Sequence, residues 1–278
     1  EITLTSPTPY FIKKLTNACF YPVRLDVIKK GSETYATSFD EQVYCGPFTI
    51  SDWVKENSMT LVKNPDYWDA GNVKLQKVVF NAAEEPATQS LLLESKQLDA
   101  AQASAEYVDK WKKMADAGQL TYISATYPNV NFIGFNQHTG GKSGLMNNAK
   151  IRLALSLAID REEYNDLIYN GINIPAYGIL PYGLQVGDTE FRKENEEPLK
   201  ALAKEYNNDS EKLKELFKEG LNEEGKGKDL SKVTLTFITT GETVQEKSAQ
   251  EYYKQKWEEK LGIKIDIKIL PDRGTFVT

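Results

Sequence analysis

The chain has 278 residues, 34 Lys and Arg against 40 Asp and Glu, a formal net charge of -6, two cysteines and one histidine. This length can bury a sizeable core in one large or two ordinary domains, and an ordinary balance of 40% hydrophobic and 27% charged residues excludes global disorder. The negative balance argues against a nucleic-acid binder, a single histidine excludes a His-rich metal site, and two cysteines cannot hold a zinc knuckle or an iron–sulfur cluster unaided. No uncharged apolar run approaches the roughly 20 residues of a membrane-spanning helix.

Residues 1–81 read as strand-rich. Glu1 opens onto the alternating run Ile2-Thr3-Leu4-Thr5, without an initiator Met or a signal peptide. Gly46-Pro47 marks a turn. The alternation in Thr49–Val54 followed by Met59–Val62 predicts a hairpin, and Val78-Val79-Phe80 a further short strand. Pro86 suits a first helical turn, so a helix is expected from there to about Lys96. Val108, Trp111 and Met114 lie three apart and predict a helix over about 105–117, with Gly118 as its stop.

Two strands are expected next, over 120–126 and 131–136. Ile151–Ile159 is apolar on most sides, as in a buried helix. Asp160 suits an N-cap with Glu163 completing a capping-box pattern, and that helix should end at Gly171. Residues 172–187 read as an ordered loop. Residues 194–224 favour helix, with Leu213, Leu216 and Phe217 on one buried stripe. The last unit is Val233–Ile238 as a strand, Thr243–Leu261 as a helix stopped by Gly262, and Ile263–Ile269 as a second strand. That order favours a parallel βαβ crossover.

Few residues point to chemistry. Gly140-Gly141-Lys142-Ser143 lacks the leading glycine of a phosphate-binding loop, because Asn136 occupies that position, and it reads as a surface loop. His138 has no serine, cysteine and acid arrangement beside it. Cys19 and Cys45 could close a loop of about 27 residues as a disulfide or remain as small buried thiols. The carboxylates occur mostly as Glu/Lys mixtures on solvated helix faces, as in 211–219. Trp53, Trp68, Trp111 and Trp257 are expected to be buried or half-buried. Tyr177 and Tyr182 lie in an irregular loop and are better candidates for touching a ligand.

Several stretches then resemble a known family. Cys45-Gly46-Pro47-Phe48-Thr49-Ile50 with Trp53 resembles a Gly-Thr-Gly-Pro-Tyr/Phe turn and strand, with Cys45 in place of the usual Thr. Asn64-Pro65-Asp66-Tyr67-Trp68 resembles an Asn-Pro-x-Tyr-Trp signature. Asn131–Gln137, the run from Asn148 to Arg161, and Pro175–Pro181 follow in the family's order. Together they resemble the extracytoplasmic solute-binding proteins of family 5, the oligopeptide and dipeptide type that feeds peptide ABC importers.

The resemblance implies an α/β, two-lobed, periplasmic-binding-protein-like fold of type II, here as partial lobes with mixed sheets flanked by helices. Residues 1–126 would be part of the first lobe and 127–278 most of the second, with the crossing near Tyr127-Pro128-Asn129. It further implies a monomer that binds an oligopeptide, meets a membrane permease, needs no cofactor and no nucleic acid, and is lipid-anchored outside a bacterial cell membrane. Both ends read as cut from a longer protein. The family's acid for the ligand's amino terminus is expected beyond Thr278, so Asp272 does not take that role and peptide binding should be weak or absent. Asn131, Phe135, Asn136, Tyr177 and Tyr182 are the residues expected near the cleft. A secreted glycosidase-like hydrolase, a non-transport surface module, and a binder of sugar or signalling peptide are the rival readings.

Overall fold

The structure, a computed structural model, describes residues 2–271 apart from Glu41, Glu84, Glu196 and Glu242. Asp272 and the final run Gly274–Thr278 lie outside the described residues. The chain forms two compact units, residues 1–101 and 102–278.

The first unit begins with the short helices α1 (Phe11–Lys14) and α2 (Leu25–Gly31). No described residue before Phe48 is in a strand, contrary to the strand-rich expectation for this stretch. The alternation of Ile2–Thr5 lacks a pairing partner, and a strand exists only by pairing. The expected hairpin is present as β1 (Phe48–Val54) and β2 (Ser58–Lys63), followed by β3 (Lys77–Asn81) in an antiparallel meander. Glu56 adopts φ 60° in the β1–β2 turn, and the register slips between Ile50 and Asp52 as at a bulge. Helix α3 (Pro86–Glu94) starts on its proline as expected.

The Asn64-Pro65-Asp66-Tyr67-Trp68 stretch has a structural role at its first residue. Buried Asn64 donates through Nδ2 to the Gly46 carbonyl (2.9 Å) and accepts the Asp66 N–H (3.0 Å), while its own N–H bonds the Pro47 carbonyl at 2.9 Å. Trp68 is instead 84% exposed, which corrects the expectation that it is buried. Its ring meets Tyr67 at 5.5 Å between centroids. Cys19 and Cys45 are both free and exposed, not small core residues.

The second unit holds α4 (Val108–Asp116), α5 (Ala149–Leu157), α6 (Arg161–Tyr169), a small hairpin of β4 (Gln185–Val186) and β5 (Thr189–Glu190), α7 (Phe191–Glu194), α8 (Lys200–Tyr206) and α9 (Ser210–Glu223). It ends with β6 (Thr234–Thr240), α10 (Val244–Leu261) and β7 (Lys264–Leu270), in which β6 and β7 pair in parallel. The βαβ expectation therefore holds. Thr243 and Glu246 form a full capping box at the start of α10, and Gly262 ends it with φ 70°.

The core of this unit is helix on helix under the parallel pair. Ile151, Ala154 and Leu157 of α5 meet Leu213, Phe217 and Leu221 of α9, and Tyr252, Trp257 and Leu261 of α10 belong to the same cluster. Asn148 caps α5 by accepting the N–H groups of Lys150 (3.0 Å) and Ile151 (3.2 Å), and donates to Glu223 of α9 (2.9 Å). Asp160 caps α6 through the Glu163 N–H at 3.0 Å. The return half of that expected capping box is diverted, because Glu163 instead accepts from Tyr252 and from Lys256 of α10, each at 2.9 Å.

The two strands expected over 120–126 and 131–136 do not pair with any described residue. Both stretches have strand-like composition, but no ladder partner lies beside them. Ile133 and Phe135 nevertheless turn inward and pack on the core, while Asn131, Phe132 and Asn136 are exposed.

Candidate functional site

A groove of about 790 Å³ runs along β6. One wall is the unpaired segment Asn131–Asn136 with Gly141, Lys142 and Ser143, and the other is Leu235–Thr240 of β6. Aromatic rings line its floor. Tyr253 stacks on Trp257 with centroids 5.6 Å apart, Tyr164 lies 4.9 Å from Tyr253, and Phe237 meets Trp257 edge-on at 5.4 Å. Such offset and edge-on pairs stabilise beyond the area they bury. The Trp257 indole N–H donates to the Leu155 carbonyl at 2.9 Å, which fixes the ring. Lys142, Glu246 and Lys268 bring exposed charges to the lining.

Among the expected ligand residues, the groove brings together Asn131, Phe135 and Asn136. Phe135 is half-buried against the core, and Asn136 accepts the Thr139 N–H at 3.3 Å. The neighbouring glycine loop is a tight turn. Gly140 has φ 73°, and a Cβ there would lie 2.6 Å from the Gly144 backbone.

Tyr177 and Tyr182 do not line this groove; they belong to a second, polar cluster in the 172–198 loop. Buried Asn165 of α6 holds the loop by donating to the Asn173 carbonyl (2.9 Å) and accepting the Asn173 N–H (3.1 Å). Arg161 donates to the carbonyls of Ala176 (2.8 Å), Ser156 and Ile159 (each 3.2 Å) and lies 5.0 Å from the centre of the Tyr177 ring. Burial pushes the Arg161 pKa below its ordinary value, opposed by nearby Tyr177 and Glu162. The Tyr177 hydroxyl donates to Glu162 at 2.5 Å; burial, then this bond, pushes the phenol up and keeps it protonated.

The centre of the cluster is an ion pair between Arg192 and Glu197, whose side chains are only 4% and 9% exposed. Glu197 also accepts the Tyr177 N–H at 2.7 Å, and the Arg192 guanidinium stacks 3.8 Å from the Tyr182 ring centre. Both tyrosines therefore act first as packing for buried arginines. The sequence reading missed Arg192 and Glu197. Their only signal was opposite charge at close spacing in a proline-bounded stretch, which marks solvated faces far more often than a buried pair.

Burial pushes the Glu197 carboxyl up, but its bonds from Arg192 and the Tyr177 N–H outweigh that and hold it below the usual carboxylate range. A carboxylate whose folded pKa is depressed stabilises above its unfolded pKa and loses that contribution as pH falls through the folded value. Glu197→Gln is therefore expected to lose about 3 kcal/mol near neutral pH, because Arg192 is left buried without its partner. The deficit should shrink as pH falls below the usual carboxylate range, where wild type also loses the charge. Urea midpoints across that range check this, and a deficit independent of pH would contradict it.

Residues 1–278 match bacterial extracellular solute-binding proteins, family 5 Middle, so the chain belongs to that family, one of binding proteins and not of enzymes. It is 30% identical over 270 residues to the dipeptide-binding protein DppE of Bacillus subtilis strain 168, covering 97% of this chain and 46% of that protein. It is also 28% identical over 181 residues to the probable deoxycholate-binding periplasmic protein YgiS of Escherichia coli K12, covering 65% of this chain and 32% of that protein. Among solved structures, Listeria monocytogenes OppA bound to peptide matches with a TM-score of 0.78 and 26% identity, over 99% of this chain and 52% of the other. The chain thus spans about half the length of the relatives it matches. Among the described residues no helix is long and apolar enough to cross a membrane.

Proposed function

We propose that this chain is part of the extracytoplasmic substrate-binding component of a peptide ABC importer. Such a protein captures an oligopeptide between two lobes, excludes water from it, and delivers it to a membrane permease without making or breaking a bond. The likeness to a peptide-bound OppA over almost the whole chain is the observation that carries this reading. We assign residues 1–126 to the first lobe and 127–278 to most of the second, with the crossing near Tyr127-Pro128-Asn129. A lipid anchor on the outer face of the membrane and a monomeric state belong to the same proposal.

Within it, Asn131, Phe135, Asn136, Tyr177 and Tyr182 are the proposed ligand-side residues. Exposed Asn131 and Asn136 offer amide donors and acceptors to a peptide backbone, which repeats one donor and one acceptor per residue. Tyr177 and Tyr182 offer ring faces at the loop that Arg161 and Arg192 hold in place.

Isothermal titration of pentaalanine into the protein carried to the length of its relatives tests the function: binding is expected there, the 278-residue chain should bind weakly or not at all, and no binding by the longer protein would contradict the reading. Asn131→Ala is expected to weaken binding by about tenfold, the loss of one or two ligand hydrogen bonds. Tyr177→Ala should weaken it similarly, and unchanged affinity in either variant removes that residue from the site. The relative described as probably deoxycholate-binding supports a second reading, an amphipathic steroid ligand. Binding of deoxycholate without binding of pentaalanine would select it.

A further inference from the structure

We infer that Arg192 and Glu197 are positioning residues for solute binding: as one buried pair they hold Tyr177 and Tyr182 in a single frame, so that both rings meet a ligand already in place. This deepens the proposed function and rests on its reading that the two tyrosines face the solute.

The main chain gives the first argument. Between Pro175 and Tyr177 successive main-chain groups are tied down. The Pro175 carbonyl accepts from Arg192 (3.4 Å) and the Ala176 carbonyl from Arg161 (2.8 Å). The Tyr177 N–H donates to Glu197 at 2.7 Å, and the Tyr177 carbonyl accepts the Leu199 N–H at 3.0 Å. Gly178 allows the close approach, since a Cβ there would stand 3.3 Å from Pro198 Cδ. Further along, the Gly183 N–H donates to Glu190 at 3.2 Å, and the Phe191 N–H bonds the Leu184 carbonyl at 2.9 Å. Both tyrosine-bearing stretches are thereby fastened to α7 and its flanks, where Arg192 and Glu197 lie.

Side chains give the second argument. Glu197 fixes the Tyr177 backbone while Glu162 accepts the Tyr177 hydroxyl, so that ring is held at both ends. The Arg192 guanidinium covers one face of the Tyr182 ring at 3.8 Å and reaches the Tyr177 side through Pro175 and Glu197. One pair therefore connects two rings carried by separate parts of an irregular loop.

Stability alone does not explain the pair. Its charges are taken out of water, which costs much of what their attraction contributes. The buried Arg192 Nε–H finds no acceptor among the described residues, a further loss. What the pair supplies is order. A side chain fixed beforehand loses less freedom on binding, and two loose rings together would weaken affinity by about tenfold.

Replacing the whole pair by apolar residues, Arg192→Met with Glu197→Leu, separates order from stability, because no charge is left buried alone. Pentaalanine affinity is read by calorimetry in the protein carried to the length of its relatives, with the melting temperature beside it. The replacement should leave the melting temperature within about 3 °C and weaken binding by about tenfold. Tyr177→Ala should then cost less than about threefold, against about tenfold beside the intact pair, because a loose ring has less to lose. A full cost in both backgrounds, or unchanged affinity after the replacement, overturns the inference. A melting temperature lowered in step with affinity marks a merely structural pair and overturns it too. Tyr177→Ala without effect beside the intact pair refutes the placement of Tyr177, and no binding by the wild-type protein refutes the proposed function; both take the inference with them. If the replaced protein does not fold, Arg192→Lys decides. It keeps a charge opposite Glu197 and removes the plane that stacks on Tyr182. The cost of Tyr182→Ala should then fall from about tenfold to less than about threefold while that of Tyr177→Ala stays. An unchanged cost of Tyr182→Ala overturns the inference.

Discussion

Residues 1–101 produced alone are expected to show no cooperative thermal transition, whereas residues 102–278 should melt as a unit. The reason is where apolar side chains are buried. Every buried hydrophobic residue among the described residues lies at Val108 or later, and the buried residues of the first unit are the polar Asn64 and Ser90. Its three-stranded meander has regular hydrogen bonds, yet Val79 and Phe80 of β3 and Leu91 of α3 are exposed. Backbone pairing contributes little net stability, because water competes for the same groups, while ordering the chain costs about 1–2 kcal/mol per residue. Without an apolar core nothing offsets that cost. Calorimetry of the two pieces decides the matter, and a sharp transition in residues 1–101 would refute it.

The second large effect is expected at Gly220, in the last turn of α9. Gly to Ala inside an exposed helix normally stabilises by about 1 kcal/mol. Here a Cβ would stand 2.6 Å from Ile151 Cγ1 and 2.7 Å from Asn148 Oδ1. Ile151 is fully buried, and Asn148 Oδ1 is the atom that caps α5, so neither can move without loss. Overpacking costs about 1–3 kcal/mol and loss of a cap about 1 more, which reverses the sign. Gly220→Ala should therefore destabilise by about 2 kcal/mol, measured by urea unfolding. Gly71→Ala, where the added methyl meets open space, should be close to neutral.

What the sequence made legible divides along physical lines. The βαβ unit was readable because local chemistry specifies it: Thr243 and Glu246 cap α10, Gly262 ends it, and apolar residues alternate on both strands. The stripe of Leu213, Leu216 and Phe217 was readable from helical period alone. Asn131–Asn136 has the composition of a strand but no ladder, since pairing belongs to two segments and composition to one. Trp68 misled because residue type predicts burial only on average, and its ring faces solvent. At the site, Asn131, Phe135 and Asn136 share one groove, as their closeness in sequence allows. That Tyr177 and Tyr182 would be joined through Arg192 and Glu197 was hidden, because the contacts depend on how a loop without period folds back.

Among the described residues β6 pairs only with β7, and its other edge also matters in time. Protein synthesis proceeds at about 5–20 residues per second, while hairpins and helices form in microseconds. Once Leu270 has emerged, β6 and β7 can pair while the chain is still tethered to the ribosome. For that interval Thr234–Ile238 presents an exposed template, with Ile238 at its outer end and no proline to blunt it. Crowded nascent chains would meet edge to edge there, so the order in which segments leave the ribosome gives this strand a vulnerable age as well as a vulnerable side.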